Sequence, residues 1–198
     1  MKINEIFYSL QGEGRHAGRA AVFIRLSGCN LKCPFCDTDF SQYQEMTIEE
    51  VTDEVCRLSL DCHFVVITGG EPTLQSVDCT HLIDALHKNG YQVAMESNGT
   101  NYAPFNCDWL TISPKTLFVG TKAAEIKQKK CNELKVVFDC VHDPEVYNNI
   151  RAEYFYLQPC DTGDTQKNKE IMDKCVEYIK KHPKWKLSLQ TQKILNVR

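Results

Sequence analysis

The sequence has no long apolar run, no marked excess of charge of one sign and no tract rich in proline, glycine or serine. A membrane-spanning helix needs roughly 18 or more consecutive apolar residues, and no segment approaches that length. The N-terminal stretch MKINEIFYSLQGEG also lacks the apolar core of a signal peptide. A formal net charge of −3 gives no general electrostatic reason to bind nucleic acid or an anionic membrane. We therefore expect a cytoplasmic protein whose partners include neither nucleic acid nor a membrane.

Chain length and hydrophobic content limit the number of domains. The chain has 198 residues, of which 42% are hydrophobic, so it can bury a substantial core but is short for two domains. No linker composition and no internal repeat divides it. We expect one domain that covers residues 1–198.

Seven short runs rich in β-branched and aromatic residues predict strands. They cover residues 21–26, 64–68, 91–96, 109–112, 134–138, 154–157 and 185–189. Most are almost continuously apolar, as buried parallel strands are. The sequence therefore predicts a sheet that is covered on both faces.

Helical patterns lie between several of these strands. One begins at Thr47, which Glu50 can complete as a capping box, and two others cover about 79–88 and 168–181. Strand, helix and strand in succession imply right-handed crossovers and a parallel sheet. A complete eightfold β/α barrel typically takes about 250 residues. The predicted fold class is therefore α/β, with a truncated, partial parallel β/α barrel.

Four segments of unusual composition each follow a predicted strand. The carboxyl ends of parallel strands share one edge of the sheet, where α/β folds place their sites. We expect these segments to gather there. They are residues 69–73, 97–100, 113–115 and 158–161.

Cysteine is abundant, with eleven residues, and three of them form a cluster in the sequence. An odd count on a chain without an export signal argues against a disulfide framework. Cys29, Cys33 and Cys36 have C-x3-C-x2-C spacing directly after the strand at 21–26. Three thiolates on one loop can hold a cubane iron–sulfur cluster and leave its fourth iron without a protein ligand. The alternative is structural zinc, although zinc prefers four ligands, usually in two close pairs.

The other eight cysteines are scattered along the chain. A free cysteine usually behaves as a small hydrophobic residue, so we expect most of these to be buried and none to be catalytic.

The cysteine spacing, with Phe35 before the last cysteine, resembles the signature of the radical S-adenosylmethionine superfamily. The sequence TGGEP at 68–72 follows a strand and resembles the GGEP motif of that superfamily. The resemblance implies a 4Fe-4S cluster whose open iron is chelated by S-adenosylmethionine, and reductive cleavage that releases a 5′-deoxyadenosyl radical. Gly69 and Gly70 would let the backbone approach the methionine amino group.

Further motifs resemble the 7-carboxy-7-deazaguanine synthase family and extend over nearly the whole chain. That family implies a lyase that converts 6-carboxy-5,6,7,8-tetrahydropterin to 7-carboxy-7-deazaguanine with loss of ammonia, in queuosine-type 7-deazapurine biosynthesis. It also implies magnesium, a homodimer, a flavodoxin- or ferredoxin-type electron donor and a barrel with roughly six core strands. The motifs are SLQGEG at 9–14, FIRL at 23–26, CDT at 36–38, ESNGT at 96–100, SPK at 113–115, LQP at 157–159 and LQT at 189–191.

The substrate residues follow partly from chemistry and partly from this resemblance. The pyrimidine edge of a pterin presents donors and acceptors, which Glu13 and Gln11 can match. Arg25 suits the substrate carboxylate, because an arginine in an apolar strand is costly without an anion. The resemblance adds Thr68 and the terminal carboxylate of Arg198. The predicted substrate set is Leu10, Gln11, Gly12, Glu13, Arg25, Thr68 and Arg198.

The resemblance also implies the cofactor and metal residues. Cys29, Cys33 and Cys36 would hold the cluster, and Thr38 would be a magnesium ligand. Gln192 stands where relatives often carry histidine, so a substrate contact there is left open. The predicted residues around S-adenosylmethionine are Phe35, Cys36, Asp37, Gly70, Glu71, Ser113, Pro114, Lys115, Gln158, Pro159, Cys160 and Asp161.

Two other functions are compatible with parts of the sequence. A glycyl-radical activating enzyme would share the cluster but act on a protein, so it would not need Gln11, Glu13 and Arg25 together. A zinc-stabilised binding module would have no catalytic activity.

Overall fold

A computed structural model describes residues 1–40 and 42–198, which form one nine-stranded sheet with helices packed on it. The strand order is β3-β1-β2-β4-β5-β6-β7-β8-β9, with β3 and β9 as the two edges. All neighbours from β2 to β9 are parallel, whereas β1 is antiparallel to both β2 and β3. The strands are β1 (Lys2–Leu10), β2 (Ala20–Leu26), β3 (Gln44–Glu45), β4 (Phe64–Gly69), β5 (Gln92–Ser97), β6 (Trp109–Ile112), β7 (Glu133–Phe138), β8 (Tyr154–Pro159) and β9 (Trp185–Leu187).

The predicted parallel α/β architecture is confirmed. The seven predicted strands correspond to β2 and to β4 through β9, so the parallel part has one strand more than the six expected. The apolar runs do not predict β1, whose sequence KINEIFYSL mixes polar and apolar residues. This strand can be polar because it lies next to the edge of the sheet, where β3 covers only two of its residues.

Five α-helices accompany the strands in the described residues. They are α1 (Ile48–Ser59), α2 (Ser76–Lys88), α3 (Thr116–Val119), α4 (Thr165–Lys181) and α5 (Thr191–Leu195). The Thr47 hydroxyl accepts from the backbone N–H of Glu50, and the Glu50 carboxylate accepts from the backbone N–H of Thr47 at 2.7 Å. The capping box at the start of α1 is thus confirmed. Within the described residues no helix combines the length and the hydropathy needed to cross a bilayer.

The two faces of the sheet have different surroundings because side chains alternate along a strand. On β2, Val22, Ile24 and Leu26 belong to the main core, into which α1, α2 and α4 also insert apolar side chains. Ala21 and Phe23 point the other way, into a second and smaller apolar cluster. Arg25, the next residue on that second face, therefore points away from the helices.

All eleven cysteines are free, and their burial differs from the expectation. Of the eight outside the triplet, four are buried, three are half-buried and Cys56 is exposed on α1. The expectation that most of them are buried is therefore only half correct.

We predict that Thr47→Ala lowers the free energy of unfolding by about 1 kcal/mol, because the first turn of α1 loses its side-chain acceptor. Denaturant unfolding measures this loss. Thr165→Ala is the matched control, since Thr165 is exposed and the cap of its helix is Asp164. Equal losses in the two variants would contradict the capping role.

Candidate active site

A cavity of about 680 Å³ opens at the carboxyl ends of the parallel strands. Every residue of the predicted substrate, cofactor and metal sets lines it, except Glu71 and Pro114. The sheet therefore gathers segments from both ends of the chain, from Asn4 to Arg198. A cavity of this size is in the range of small-molecule binding sites.

The loop that carries the cysteine triplet follows β2 and is fixed to the loop after β4. Gly70 donates its N–H to the Leu26 carbonyl at 3.0 Å, and Glu71 donates to the Gly28 carbonyl at 2.9 Å. A Cβ atom on Gly70 would collide with the Gly28 carbonyl oxygen and lie 3.0 Å from Cys29 Cβ. Only glycine at position 70 lets the two loops approach this closely.

The three cysteines of this loop all face the cavity. Cys29 and Cys33 are half-buried and Cys36 is exposed. Burial raises the pKa of the Cys29 and Cys33 thiols. Three thiols on one loop, turned toward a common space, fit a 4Fe-4S cluster that keeps one iron open. Among the described residues no three His, Cys, Asp or Glu side chains are grouped closely enough to bind a single metal ion.

The Glu71 carboxylate lies beneath these loops and not in the cavity. Its side chain is 1% exposed. Oε1 accepts from the Thr73 hydroxyl at 2.5 Å and the Ser97 hydroxyl at 2.7 Å, and Oε2 accepts from the Asn98 N–H at 2.7 Å. The Glu71 side chain therefore joins the loops after β4 and β5, and Glu71 is not part of the cavity lining.

A second hydrogen-bond chain continues from this carboxylate to the cysteine loop. The Asn98 amide donates to Asn30 Oδ1 at 3.0 Å, and the Asn30 amide donates to Thr100 Oγ1 at 2.9 Å. Because Asn30 follows Cys29 directly, this chain ties the first cysteine of the triplet to the loop after β5.

Lys115 lines the same cavity as the cysteine loop. Its ammonium donates to the backbone oxygen of Ser113 at 2.8 Å and to the Ser113 hydroxyl at 2.5 Å. Burial lowers the pKa of Lys115 to about 8. This lysine is thus half-buried in the loop after β6 and is not the solvated surface lysine that a position after a strand commonly holds.

Charged side chains from two strands and one loop meet at the other end of the cavity. Lys135 Nζ lies 2.6 Å from Glu13 Oε2 and 3.3 Å from Glu96 Oε1. The Gln11 amide donates to Glu96 Oε1, and the Thr68 hydroxyl donates to Glu96 Oε2, both at 3.2 Å. Glu13, Gln11 and Thr68, which the sequence predicts as substrate residues, are therefore parts of one network.

Arg25 has a protein anion as its partner. Its Nε lies 2.8 Å from Glu5 Oε1, and its Nη1 donates to Thr38 Oγ1 at 3.4 Å. Glu5 Oε2 in turn pairs with Arg198 Nη2 at 3.2 Å, and the Ser9 hydroxyl donates to the Arg198 main-chain oxygen at 2.6 Å. The need for an anion near Arg25 is thus met by β1, while the guanidinium still lines the cavity.

The C-terminal segment that contains α5 closes one side of the cavity. Thr191 Oγ1 donates to the Gly12 carbonyl at 2.8 Å, and the side-chain amides of Gln190 and Gln192 donate to Glu13 Oε1 at 3.1 and 3.2 Å. Gln192, the departure from the family pattern, is therefore a hydrogen-bond donor to Glu13.

The same segment also reaches the cysteine loop and the loop after β8. Lys193 Nζ lies 3.2 Å from Asp37 in the cysteine loop and 2.9 Å from Asp161 after β8. A hydrogen bond from the Lys193 ammonium is the main reason that the pKa of Asp161 falls to about 2.

The sequence did not predict that Glu5, Lys135 and Lys193 line the cavity, and Glu96 entered only as the first residue of the ESNGT motif. Lys135 had a recognisable signal, since it is the one charged residue inside the apolar run LKVVF at 134–138. Glu5 and Lys193 had none, because each acquires its role from residues distant in the sequence.

Comparisons with known proteins agree on one family. The radical SAM superfamily pattern matches residues 23–188. A 7-carboxy-7-deazaguanine synthase of Bacteroides thetaiotaomicron is 45% identical over all of this chain and 98% of its own length. One of Bradyrhizobium diazoefficiens is 39% identical, with 99% and 98% of the two chains covered. The crystal structure of QueE from Escherichia coli superposes with a TM-score of 0.79 at 27% identity, covering 95% of this chain and 92% of that one.

We predict that Glu71→Gln lowers the free energy of unfolding by about 1–3 kcal/mol, because an amide NH2 must then face a donor in a buried place. Denaturant unfolding compares this variant with Glu125→Gln, which changes an exposed glutamate. A loss no larger than that of the control would show that the Glu71 carboxylate does not hold the loops together.

Proposed function

The chain belongs to the radical S-adenosylmethionine superfamily and, within it, to the 7-carboxy-7-deazaguanine synthase family, and we propose that its cavity is the place where 6-carboxy-5,6,7,8-tetrahydropterin loses ammonia to become 7-carboxy-7-deazaguanine. The enzyme is a lyase that depends on a 4Fe-4S cluster and S-adenosylmethionine. The observation that carries the proposal is the shared cavity of the cysteine triplet, Glu13 and Arg25. Relatives that carry the synthase name align with nearly the whole chain, which argues against both a glycyl-radical activating enzyme and a zinc module.

Residues of the cysteine loop and of the loops after β4, β6 and β8 would hold the two cofactors. When bound, the cluster and S-adenosylmethionine supply the electron and the 5′-deoxyadenosyl radical that removes hydrogen from C6 of the substrate. Cys29, Cys33 and Cys36 would ligate iron, which requires that these thiols lose their protons. Glu71 and Pro114 are not part of the cavity lining, so they would support the neighbouring residues that contact the cofactor. The remaining contacts would come from Phe35, Asp37, Gly70, Ser113, Lys115, Gln158, Pro159, Cys160 and Asp161.

Residues at the charged end would recognise the substrate. Glu13 would accept N–H groups of the pterin's pyrimidine ring, and the backbone of residues 10–12 would supply further donors and acceptors. Arg25 would bind the substrate carboxylate through the guanidinium nitrogens that Glu5 leaves available. Thr68 and Arg198 line the same part of the cavity and would complete the contact.

Thr38 would be a magnesium ligand beside the substrate carboxylate. Magnesium keeps several waters and takes few protein ligands, so one hydroxyl is sufficient when substrate oxygens supply the rest. The Thr38 hydroxyl already lies 3.4 Å from Arg25 Nη1, which places both candidate carboxylate partners together.

We also propose the wider setting of the enzyme. The whole chain would act as one domain, because a single sheet includes strands from Lys2 to Leu187. It would form a homodimer, receive electrons from a flavodoxin- or ferredoxin-type protein, and reside in the cytoplasm, where free thiols stay reduced.

The anaerobic, cluster-reconstituted enzyme should convert the carboxytetrahydropterin to 7-carboxy-7-deazaguanine and one equivalent of ammonia. Chromatography of the product and iron and sulfide analysis provide the readouts. Cys33→Ala should abolish both cluster and turnover, whereas Cys56→Ala, on an exposed face of α1, should preserve them. Cleavage of S-adenosylmethionine without the deazaguanine product would refute the substrate assignment.

Thr38→Ala should reduce magnesium-stimulated turnover at least about tenfold, because the ion loses its protein oxygen. Thr38→Ser keeps the hydroxyl and should retain most of the stimulation. Titration of turnover against magnesium, at equal cluster content, makes the comparison. Identical titration curves for the alanine variant and the wild type would remove Thr38 from the metal site.

A further inference from the structure

We infer that Lys135 is a positioning residue that holds Glu13 and Glu96 as a pair of fixed carboxylate acceptors for the N–H groups of the substrate. This inference rests on the proposed function and adds a residue that the family motifs do not include. It also gives Glu96 a role in specificity.

The sheet brings these three side chains to the same place. Lys135 lies on β7 and Glu96 on β5, while Glu13 lies in the connection between β1 and β2. The Lys135 side chain is only 6% exposed, yet it borders the cavity, as both glutamates do. Its ammonium reaches both carboxylates, at 2.6 Å and 3.3 Å.

Hydrogen-bond counting shows what the network leaves for a ligand. An ionised carboxylate has about four acceptor sites. Glu13 receives donors from Lys135, Gln190 and Gln192, and Glu96 receives them from Lys135, Gln11 and Thr68. Each carboxylate thus keeps about one acceptor site, and the cavity is where it can be used.

A pterin ring presents N–H donors that two such acceptors can bind. Its pyrimidine part carries N–H groups on a ring nitrogen and on the exocyclic amino group. Two ionised carboxylates cannot share a buried space without a cation between them, because like charges repel strongly at low dielectric. Lys135 is that cation, and it makes a two-carboxylate recognition site possible.

The other charged groups around Lys135 do not replace it. Glu133, on the same strand, accepts the Arg15 N–H at 2.8 Å and does not line the cavity. Lys115 uses its ammonium on Ser113. Burial by itself would raise the pKa of Glu13, but the Lys135 ammonium and the two glutamine amides lower it to about 2.

The sign of the pH dependence follows. In the wild type Glu13 stays ionised over the whole working range. Without Lys135, burial and the neighbouring Glu96 and Glu133 would raise the pKa of Glu13, so that it gains a proton as the pH falls. A protonated carboxyl loses acceptor capacity, and substrate affinity should therefore decrease toward low pH only in the variant.

The test uses the reconstituted enzyme with Lys135→Met, Lys135→Arg and the control Lys184→Met. Lys184 also pairs with a glutamate, Glu145 at 2.5 Å, but does not line the cavity. We expect Lys135→Met to raise the KM for the carboxytetrahydropterin about ten- to a hundredfold, the effect of losing one charged hydrogen bond. The increase should shrink as the pH rises, and Lys135→Arg should restore most of the affinity.

Two readouts other than turnover distinguish positioning from a purely structural role. Calorimetric binding of the pterin without reductant should show the same pH-dependent loss, and cluster content should match the wild type. A KM that is unchanged, or raised equally at every pH, would overturn the inference. Absence of deazaguanine product from the wild type would instead refute the proposed function, so the two failures are distinguishable.

A double variant covers the case in which Lys135→Met leaves too much buried charge to fold. Glu13→Gln removes the acceptor charge, and the double variant Lys135→Met/Glu13→Gln removes both partners together. If Lys135 acts through the two glutamates, the loss of pterin affinity in the double variant should be smaller than the sum of the losses in the two single variants. Additive losses would show that Lys135 acts elsewhere.

Discussion

The alternation of side chains along the parallel strands determines where both the core and the active site lie. On β2, Val22, Ile24 and Leu26 enter the core beneath the helices, and the intervening positions face the opposite side of the sheet. Shifting a strand by one residue would exchange its two faces, which would place Arg25 in the apolar core. The register that pairs Arg25 with Thr68 is therefore fixed by the burial of the neighbouring apolar residues. Burial of the apolar face thus fixes the strand register, and the register in turn fixes which side chains are neighbours on the polar face.

A polar face inside a half-open barrel is stable only when its charges are compensated. Lys135 lies between two carboxylates, and Glu5 lies between two guanidinium groups, those of Arg25 and Arg198. For the strongly buried Lys135 and Glu13, an ion that lost its partner would cost several kcal/mol, so these two must form their pair together. Arg25, Glu13 and Glu96, which could contact a substrate, are accordingly each held by a protein side chain of opposite charge. The site is preorganised for that reason, before any ligand binds.

Sequence reasoning succeeds where the signal is local and fails where it is not. The cysteine triplet, the GGEP loop and the α1 capping box each lie within a few residues, and their spacing alone is informative. The prediction that Arg25 needs an anion is correct, but the anion in the structure is Glu5, which only strand pairing brings near. Glu71 shows a different limit of motif reasoning, because a motif does not say whether the side chain of each member faces the ligand or supports the loop. Its carboxylate is consumed by Thr73, Ser97 and Asn98.

The C-terminal segment shows how the two halves of the cavity are connected. Gln190 and Gln192 donate to Glu13 at the charged end of the cavity, and Lys193, one residue further, pairs with Asp37 in the cysteine loop and with Asp161 after β8. Because these residues are adjacent, a displacement of α5 would break contacts at both ends at once. Exposed ion pairs such as those of Lys193 are individually weak, whereas the glutamine contacts are partly buried and reach an ionised acceptor. The hydrogen bonds to Glu13 therefore anchor the C-terminal segment, and the position of Lys193 beside Asp37 and Asp161 depends on them.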